Sequence, residues 1–470
     1  MPDILTLLEC LQPYIGGTSM RQLSQIVIAM LAMTGRVTML GISRWTGKGG
    51  SYRTVQRFFQ SALPWVTVMW VFCRQHLWCP NDVYLLAGDE VVVTKVGRKT
   101  YGLDRFFSSL HGKSVSGLSF FSLSLISLKE RHSFPISIQQ TILSEEEKQK
   151  AKQRKTKKKK KIENQQNQQK DQENTSQSEK KAKKQKNKGG RPKGSKNKNK
   201  TEVELNPELL RIKGWIQSLL RQLDTMLSVT YLLLDGHFGN NKALQMTRQL
   251  NLHLISKLRH DSALYLRYEN PEPDKKCRRK YGYKLKIDRI PNIYLKTSNI
   301  EKGYQTSIYQ LELLHKEFSQ ALNVVIIVKT NIKNLSTSHV ILFSSDLDLA
   351  YHKLIDYYSL RFQIEFNFRD AKQFWGLEDF MNVSQEGVTQ AANLSFFMVN
   401  LSYYLLKKGT PGHNPKSILD LKAICRGDKY VREIVKLLPE KPDPVLLAQI
   451  FARICSLGRI NKEPKPTASF

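Results

Sequence analysis

The sequence predicts an α/β protein in which helical segments near both ends enclose a strand-rich middle. Apolar residues recur at helical three- and four-residue spacing through residues 26–33. Short apolar runs typical of buried strands follow at residues 84–87, 231–234 and 324–328. Helical periodicity returns over residues 350–406. We therefore expect strands and helices to combine in one α/β fold.

The charge of the chain points to a polyanionic partner. Its 470 residues include 74 Lys and Arg against 41 Asp and Glu, a formal net charge of +33. Residues 148–200 hold 22 basic and 4 acidic side chains, which leaves 52 basic and 37 acidic residues elsewhere. The remainder is therefore basic too. Nucleic acid is the first expectation for the partner and an anionic membrane surface the second.

Several classes of protein are excluded by simple features. The longest apolar runs, residues 63–73 and 394–406, are shorter than the roughly 20 residues that a membrane-spanning helix needs. The first residues lack the basic-then-apolar pattern of a secretory signal. Six scattered cysteines form no Cys-x2-Cys pair, which disfavours a zinc ribbon or disulfide scaffold. We expect a cytoplasmic, nucleoid-associated protein with reduced thiols and no membrane partner.

Residues 1–80 carry a pattern that suits reading of a DNA groove. A glycine-rich turn at residues 45–50 separates two helical stretches, and Ser51 can cap the second one. Arg53 and Arg57 lie four residues apart, so they share one face of that helix. A helix, a turn and a helix with an arginine face match a DNA-binding module. The alternative is an ordinary amphipathic helix with a solvated basic face.

Residues 143–203 are of low complexity and contain almost no apolar side chains. Such a segment cannot bury enough surface to fold alone, so we expect a disordered insertion. Near its end, Arg191 lies in a Gly-Arg-Pro sequence flanked by lysines, which resembles an AT-hook that places Arg in a narrow minor groove. The alternative, which we slightly favour, is a generic polycation that binds phosphates without selectivity.

Three carboxylates from separate elements are candidates for catalysis. Asp89 and Asp235 each follow an apolar strand, a position from which a side chain can face a cleft. Glu90 would point to the opposite face of the first strand, so Asp89 is the better candidate. An Asp after a strand is also common in turns and helix caps. Glu365, the third candidate, lies in a helical segment.

The helical segment around Glu365 carries a polar stripe. On a continuous helix Tyr358, Arg361, Glu365 and Lys372 fall within ~60° of one another. Three carboxylates can hold two Mg²⁺ ions that promote phosphoryl transfer. Arg361 and Lys372 would then bind phosphates, and Tyr358 would stack on or hydrogen-bond to a nucleotide. The alternative for Glu365 is a helical ion pair with an arginine, worth ~0.3–0.5 kcal/mol.

The spacing Tyr358-x2-Arg361-x3-Glu365-x6-Lys372 resembles the Tyr-Arg-Glu-Lys signature of bacterial insertion-sequence transposases with a DDE triad. The resemblance implies a ribonuclease H-like core, a mixed sheet flanked by helices, and cut-and-paste DNA transposition. It implies that Asp89, Asp235 and Glu365 bind two Mg²⁺ ions, with Mn²⁺ able to substitute. It further implies that Tyr358, Arg361 and Lys372 contact double-stranded DNA at the terminal inverted repeats of the element.

The partners implied are these repeats, target DNA and a second copy of the chain in a synaptic homodimer. Two alternatives remain: a catalytically inactive DNA-binding protein descended from a transposase, and a metal-dependent nuclease without strand transfer. With the resemblance, the chain divides into a helical DNA-binding domain (1–80), a first segment of the catalytic core (81–142), the Lys-rich insertion (143–203), a second core segment (204–258), a β-rich insertion (259–345), a third core segment (346–410) and a helical C-terminal region (411–470).

Overall fold

A computed structural model describes residues 4–47, 49–108, 110–149, 199–223, 226–269, 279–409 and 413–461. Its N-terminal region is helical because apolar side chains repeat along one face. In the second helix Leu23, Ile26, Val27 and Met30 are buried at this spacing. The helices are α1 (Ile4–Leu8), α2 (Gly17–Ala32), α3 (Met39–Trp45), α4 (Tyr52–Gln60) and α5 (Trp65–His76).

The helix pair α3 and α4 is defined by its caps. The Thr38 side chain accepts a hydrogen bond from the backbone of Gly41 at the start of α3. Ser51 caps α4 by accepting from the backbone N–H of Thr54, as its position in the sequence predicts. The buried face of α4 packs on α2, on α3 and on a long C-terminal helix, which leaves its basic face outside.

A large mixed sheet forms the centre of the molecule, which confirms the predicted α/β class. Its first strands are almost wholly buried because they are covered on both faces, so their sequences are nearly continuous apolar runs. Helices follow or separate the later strands. The elements are β1 (Tyr84–Thr94), β2 (Asp104–Ser108), β3 (Lys113–Ser127), β4 (His132–Thr141), α6 (Pro207–Leu223), β5 (Tyr231–Leu233), α7 (Asn241–Arg248) and β6 (His253–Leu258).

A second group of strands extends the same sheet. It consists of β7 (Leu264–Arg267), β8 (Tyr281–Lys284), β9 (Leu295–Glu301), β10 (Tyr304–His315), β11 (Ala321–Asn331) and β12 (Thr337–Ser344). The order of the twelve described strands is β2-β3-β1-β5-β6-β12-β11-β10-β7-β8, with β4 also paired to β3 and β9 to β10. Strands β1, β5 and β6 are mutually parallel, and the other pairings are antiparallel.

Helices complete the chain after the sheet. These are α8 (Tyr351–Leu360), α9 (Gln363–Gln373), α10 (Gln385–Lys408), α11 (Ile418–Leu437) and α12 (Pro444–Cys455). Helix α10 is buried along most of its length and packs on β4, α4 and α5, so it joins the N-terminal helices to the sheet. Among the residues that the structure describes, no helix is both long and apolar enough to cross a membrane.

Two local predictions are wrong. The strand predicted to end at Asp89 continues to Thr94, because Val91 and Val93 remain buried against β3. The helix predicted to be continuous through Tyr358 and Lys372 is divided into α8 and α9, with Arg361 and Phe362 between them. The Tyr-Arg-Glu-Lys spacing therefore extends over a helix junction, and the angular argument for one straight stripe does not apply.

Candidate active site

Asp89 lies in the middle of the buried strand β1. Its register partner on β3 is Ser122, and β5 lies on the other side of the strand. Gly88 before it is required by close packing, since a Cβ there would come within 2.8 Å of the Phe121 ring. The Asp89 side chain is 21% exposed, and its Oδ1 accepts a hydrogen bond from the Glu90 backbone at 2.8 Å. A mostly buried carboxylate is thus held by a rigid strand.

Asp235 lies just after β5, the parallel neighbour of β1, at the start of the short helix Gly236–Phe238. Ala87 pairs with Leu233, and each aspartate follows two residues later in its strand direction. The two carboxylates are close enough that the negative charge of Asp235 acts on Asp89. The Asp235 carboxylate accepts from the His237 backbone N–H at 3.1 Å, and Ser256 Oγ donates to the Asp235 carbonyl at 2.7 Å. These bonds fix the turn that carries Asp235.

Arg361 joins two of the three candidate carboxylates. Its Nη1 donates to Asp89 Oδ2 at 2.6 Å, and its Nη2 donates to Glu365 Oε1 at 3.1 Å. The Arg361 side chain is 14% exposed and that of Glu365 is 43% exposed. The helix junction places Arg361 so that it reaches both β1 and the first turn of α9. The structure therefore brings Asp89, Arg361 and Glu365 together in one ion-pair network.

The charges around Asp89 change its acidity. Burial raises the pKa of the Asp89 carboxyl to about 6, although Arg361 acts in the opposite direction. The negative charge of Asp235 adds to the rise, which is the effect of two carboxylates close together. Burial alone would lower the pKa of Arg361, but Asp89, Tyr358 and Glu365 raise it, so the guanidinium stays charged. The site holds an excess of negative charge that a cation would relieve.

Tyr358 and Lys372 border this network in different ways. The Arg361 guanidinium carbon lies 5.9 Å from the centre of the Tyr358 ring, and burial raises the pKa of the Tyr358 hydroxyl. Lys372 Nζ donates to the Val92 carbonyl of β1 at 2.9 Å and lies 2.9 Å from Glu378 Oε1. In this structure Lys372 therefore ties α9 to β1, a role that the sequence did not predict.

The remaining predicted DNA contacts lie outside this network. Arg53 and Arg57 are exposed on α4, opposite its buried residues Val55, Phe58 and Phe59. Their common face is the one that the four-residue spacing predicts. Arg191 lies outside the described residues, as does Cys277. The structure thus describes two separate groups of candidate contacts: the exposed arginines of α4 and the network around Arg361.

A cleft of about 700 Å³ adjoins Asp89 and Asp235 and contains polar side chains that sequence reasoning missed. His237 Nε2 lies 3.3 Å from Glu208 Oε1, and Arg211 Nη1 lies 2.8 Å from Glu147 Oε2. Trp215 stacks on Phe121 with ring centres 5.8 Å apart and lines the wall of the cleft. The position of His237 beside Asp235 was a usable indication. Nothing in the sequence indicated Glu208 or Arg211, because α6 is brought to the cleft only by the tertiary fold.

The carboxylate oxygens of the site are suitable ligands for a divalent metal, but the side chains would have to move before they could bind one. Asp89, Asp235 and Glu365 offer the oxygen ligands that hard cations prefer, and the repulsion between the two aspartates favours a cation. Among the described residues, however, no three His, Cys, Asp or Glu side chains converge closely enough to hold a metal ion as they stand. Arg361 occupies the space between Asp89 and Glu365.

The fold and the site define an α/β protein with acidic side chains at the level of two central parallel strands and on a following helix. The chain belongs to the DDE superfamily endonucleases, since the model of that family matches residues 10–307. These enzymes generally depend on a divalent metal. The matched range includes Asp89 and Asp235 and ends before Glu365.

Solved structures add a remote likeness. The chain is similar to a protein in the cryo-EM structure of a piggyBac transposase synaptic complex with hairpin DNA. The TM-score is 0.37 and the sequence identity 11%, with 98% of this chain and 84% of that chain covered. No curated protein matches the sequence.

Proposed function

We propose that the protein is a transposase that binds the ends of its mobile element and performs metal-dependent DNA cleavage and strand transfer by a cut-and-paste route. The observation that carries this proposal is that Arg361 bridges Asp89 and Glu365, while the negative charge of Asp235 acts on Asp89. Membership of the DDE superfamily endonucleases supports the cleavage chemistry. The Tyr-Arg-Glu-Lys spacing at residues 358–372 supports the bacterial insertion-sequence group.

The sheet supports a ribonuclease H-like core for this function. An antiparallel series β1, β3 and β4 is followed by the parallel strands β5 and β6, with α6 before β5 and α7 before β6. Strands β7 to β12 form the β-rich insertion before the helix that carries Glu365. This proposal keeps the predicted division of the chain into seven segments, with helical regions at both ends and the Lys-rich insertion between residues 143 and 203. Glu147, which the sequence assigned to the disordered insertion, instead pairs with Arg211 on α6.

Asp89, Asp235 and Glu365 would hold two Mg²⁺ ions, with Mn²⁺ able to substitute. Such ions activate the attacking oxygen and stabilise the leaving oxygen of a phosphodiester. The side chains of this chain position the DNA. Arg361 offers a fork of donors to a phosphate, Tyr358 provides an aromatic surface, and Lys372 supplies a point charge where α9 meets β1.

The partners follow from the same proposal. Arg53 and Arg57 on α4 would contact the double-stranded terminal inverted repeats, and Arg191 in the Lys-rich insertion would contact DNA in the minor groove or through its phosphates. The same active site would join the cut end to target DNA. Two element ends must be brought together, so the working form would be a homodimer in a synaptic complex. The place of action would be the bacterial cytoplasm, at the nucleoid.

A cleavage and joining assay tests the proposal. The full-length protein is incubated with Mg²⁺ or Mn²⁺ and a labelled duplex taken from the DNA that flanks its own gene. We expect nicking at the element boundary and joined products from the wild type. Glu365→Gln should lose both, while the control Glu386→Gln, an exposed glutamate in the first turn of α10, should keep both.

Other outcomes identify the alternatives. Cleavage without joined products would show a metal-dependent nuclease without strand transfer. Tight, salt-sensitive binding without cleavage by the wild type or either variant would show a catalytically inactive DNA-binding protein. Cleavage that survives Glu365→Gln would remove Glu365 from the active site.

A further inference from the structure

The positive charge of Arg361 compensates the negative charges of Asp89 and Glu365. We propose that Arg361 is a built-in counter-ion of Asp89 and Glu365, that it must leave them before they bind a divalent cation, and that a DNA phosphate draws it away. Metal and DNA would then bind cooperatively. This inference rests on the proposed function, because it assumes that the three carboxylates are the metal ligands.

The contacts of Arg361 show that it competes with a metal for the same oxygens. Its two terminal nitrogens are bonded to Asp89 Oδ2 at 2.6 Å and to Glu365 Oε1 at 3.1 Å. The two carboxylates come from different elements, β1 and α9, and the guanidinium occupies the space between them. A guanidinium and a divalent cation repel each other at this distance. The two therefore exclude one another from the space between Asp89 and Glu365.

The junction between α8 and α9 gives Arg361 its reach. The N–H of Arg361 is bonded to the Tyr358 carbonyl at 3.2 Å, and the N–H of Ile364 to the Arg361 carbonyl at 3.1 Å. These bonds have the i to i+3 spacing of a tight turn instead of the spacing of an α-helix. The junction aims the side chain at β1, and a change of side-chain rotamer would release it without unfolding either helix.

Arg361 is also incompletely satisfied in this position. Its Nε is buried and has no hydrogen-bond partner among the described residues. A buried donor without an acceptor is costly, so the present arrangement leaves one bond to be gained. Phosphate oxygens are acceptors that match the arginine fork in geometry and charge. DNA would therefore offer Arg361 a better set of acceptors than the two carboxylates do.

A permanent role is the competing interpretation. In that case Arg361 would stay bonded to Asp89 and Glu365 after metal binding and would orient them. The two interpretations predict opposite effects of Arg361 on the affinity for metal. A displaced counter-ion weakens metal binding in the absence of DNA, whereas a permanent orienting residue strengthens it. By reciprocity, a displaced counter-ion also makes DNA and metal each increase the affinity of the other.

The test measures bound Mn²⁺ through the electron paramagnetic resonance of the free ion, a readout that does not depend on cleavage. The full-length wild type, Arg361→Gln, Asp235→Asn and the control Arg369→Gln are titrated with and without a duplex from the DNA flanking the gene. Arg369 lies on the same helix and is paired with Asp370 at 2.9 Å. Without DNA we expect Arg361→Gln to bind Mn²⁺ about tenfold more tightly than the wild type, with Arg369→Gln unchanged.

The duplex should tighten Mn²⁺ binding about tenfold in the wild type and less than about threefold in Arg361→Gln. Equal or weaker Mn²⁺ binding by Arg361→Gln, together with loss of binding in Asp235→Asn, would overturn the inference and leave the proposed function intact. Unchanged Mn²⁺ binding in Asp235→Asn would instead contradict the proposed metal site. If Arg361→Gln does not fold, the wild type alone decides, because Mn²⁺ affinity that is independent of the duplex also overturns the inference.

Discussion

Asp89 in the cleft and Asp420 at the start of α11 are two buried or half-buried carboxylates that are compensated in opposite ways. Asp420 Oδ1 accepts from the backbone N–H groups of Ile460 at 2.8 Å and Asn461 at 3.1 Å. Its Oδ2 accepts from the Asn461 side chain at 2.8 Å and from the Lys416 backbone at 3.3 Å. Asp89 has one backbone donor, from Glu90, and the side chain of Arg361.

The two aspartates differ in acidity as a result. Burial acts to raise the pKa of Asp420, but the hydrogen bonds from Asn461, Ile460 and Lys416 outweigh it and lower that pKa to about 2. Burial raises the pKa of Asp89 to about 6 despite Arg361. A carboxylate surrounded by fixed neutral donors is saturated and holds the chain together. A carboxylate compensated by one long, flexible cation stays available for a ligand.

The largest expected effect is on Asp89. We expect Asp89→Asn to reduce DNA cleavage more than about 100-fold, because even residues that only support metal ligands cost ~10–100-fold when they are lost. Because folding raises the pKa of Asp89, its ionised form opposes folding above pH 6, and Asn removes that cost. The melting temperature should therefore not fall. Cleavage rates and thermal unfolding of the purified variant check both statements.

The matched control for Asp89→Asn is Asp348→Asn, which changes an exposed aspartate in the same way and should leave cleavage unchanged. Near-normal cleavage by Asp89→Asn would show that Asp89, like Asp420, has no role in catalysis. Glu90 would then become the candidate on β1, since its carboxylate is bonded to Ser119 Oγ beside the same cleft.

The next effect is on stability at Asp420. We expect Asp420→Ala to lower the free energy of unfolding by about 2–3 kcal/mol, because several donors lose a charged acceptor inside the protein. Asp420 is fully buried, and the bonds it makes anchor residues 460 and 461 to the start of α11. Urea unfolding followed by circular dichroism measures this change. Cleavage by the folded fraction should stay at the wild-type rate.

Glu433→Gln on the exposed side of α11 is the control for Asp420→Ala. It removes one carboxylate that is paired with Lys436 at 2.8 Å on the surface. Water and salt screen exposed pairs of this kind, so this variant should remain close to the wild type. A similar loss in both variants would mean that the donors around Asp420 add nothing specific.

The same pair of aspartates predicts a pH dependence. The pKa of Asp420 falls from its ordinary 3.8 to about 2 on folding, so its contribution to stability is complete above pH 4. That contribution is lost as pH falls from 4 towards 2. The difference in unfolding free energy between the wild type and Asp420→Asn should shrink through this range. A constant difference between pH 5 and pH 2 would contradict the assignment of the low pKa to Asp420.

The sequence could select the candidate carboxylates, whose role in catalysis stays a prediction, but it could not give most of their surroundings. Asp89 and Asp235 could be selected because apolar strand residues precede them, and Glu365 because of the spacing of its neighbours. The ion pair of Arg361 with Glu365 is the alternative that the sequence offered for Glu365. The bond of Arg361 to Asp89 could not be predicted, since it depends on the junction at residues 361 and 362. A pattern of apolar residues at helical spacing does not show where one helix ends and the next begins, because both helices follow that spacing.

Asp420 could not be predicted for a different reason. Its partners Ile460 and Asn461 lie 40 and 41 residues later, and a single Asp near a helix start is ordinary in sequence. The continuation of β1 past Asp89 could not be predicted from the sequence either. Gly88 and two acidic residues usually indicate a turn, but the packing of Val91 and Val93 on β3 outweighs that local preference.

A smaller effect is expected at Lys372, which is held by fixed partners, as Asp420 is, and lies beside the candidate active site, as Asp89 does. Its Nζ is held by the Val92 carbonyl and by Glu378, so its removal should lower stability by about 1 kcal/mol. If Lys372 also reaches a phosphate when DNA binds, Lys372→Met should weaken DNA binding as well. Urea unfolding and a fluorescence-anisotropy titration with the duplex separate these roles. Unchanged DNA affinity with reduced stability would assign Lys372 to the structure alone.

The smallest effect is expected on α4, where Arg53 and Arg57 are exposed and their contribution is set mainly by salt. Each phosphate contact that is lost should reduce the slope of log affinity against log salt concentration by about 1, so the double variant Arg53→Gln/Arg57→Gln should reduce it by about 2. Gln56→Ala on the same helix removes a side chain without charge and should leave the slope unchanged. An unchanged slope in the double variant would show that α4 is an ordinary amphipathic helix with a solvated face. A reduced slope with normal cleavage at saturating DNA would show that α4 and the Asp89 network act separately, one in binding and the other in chemistry.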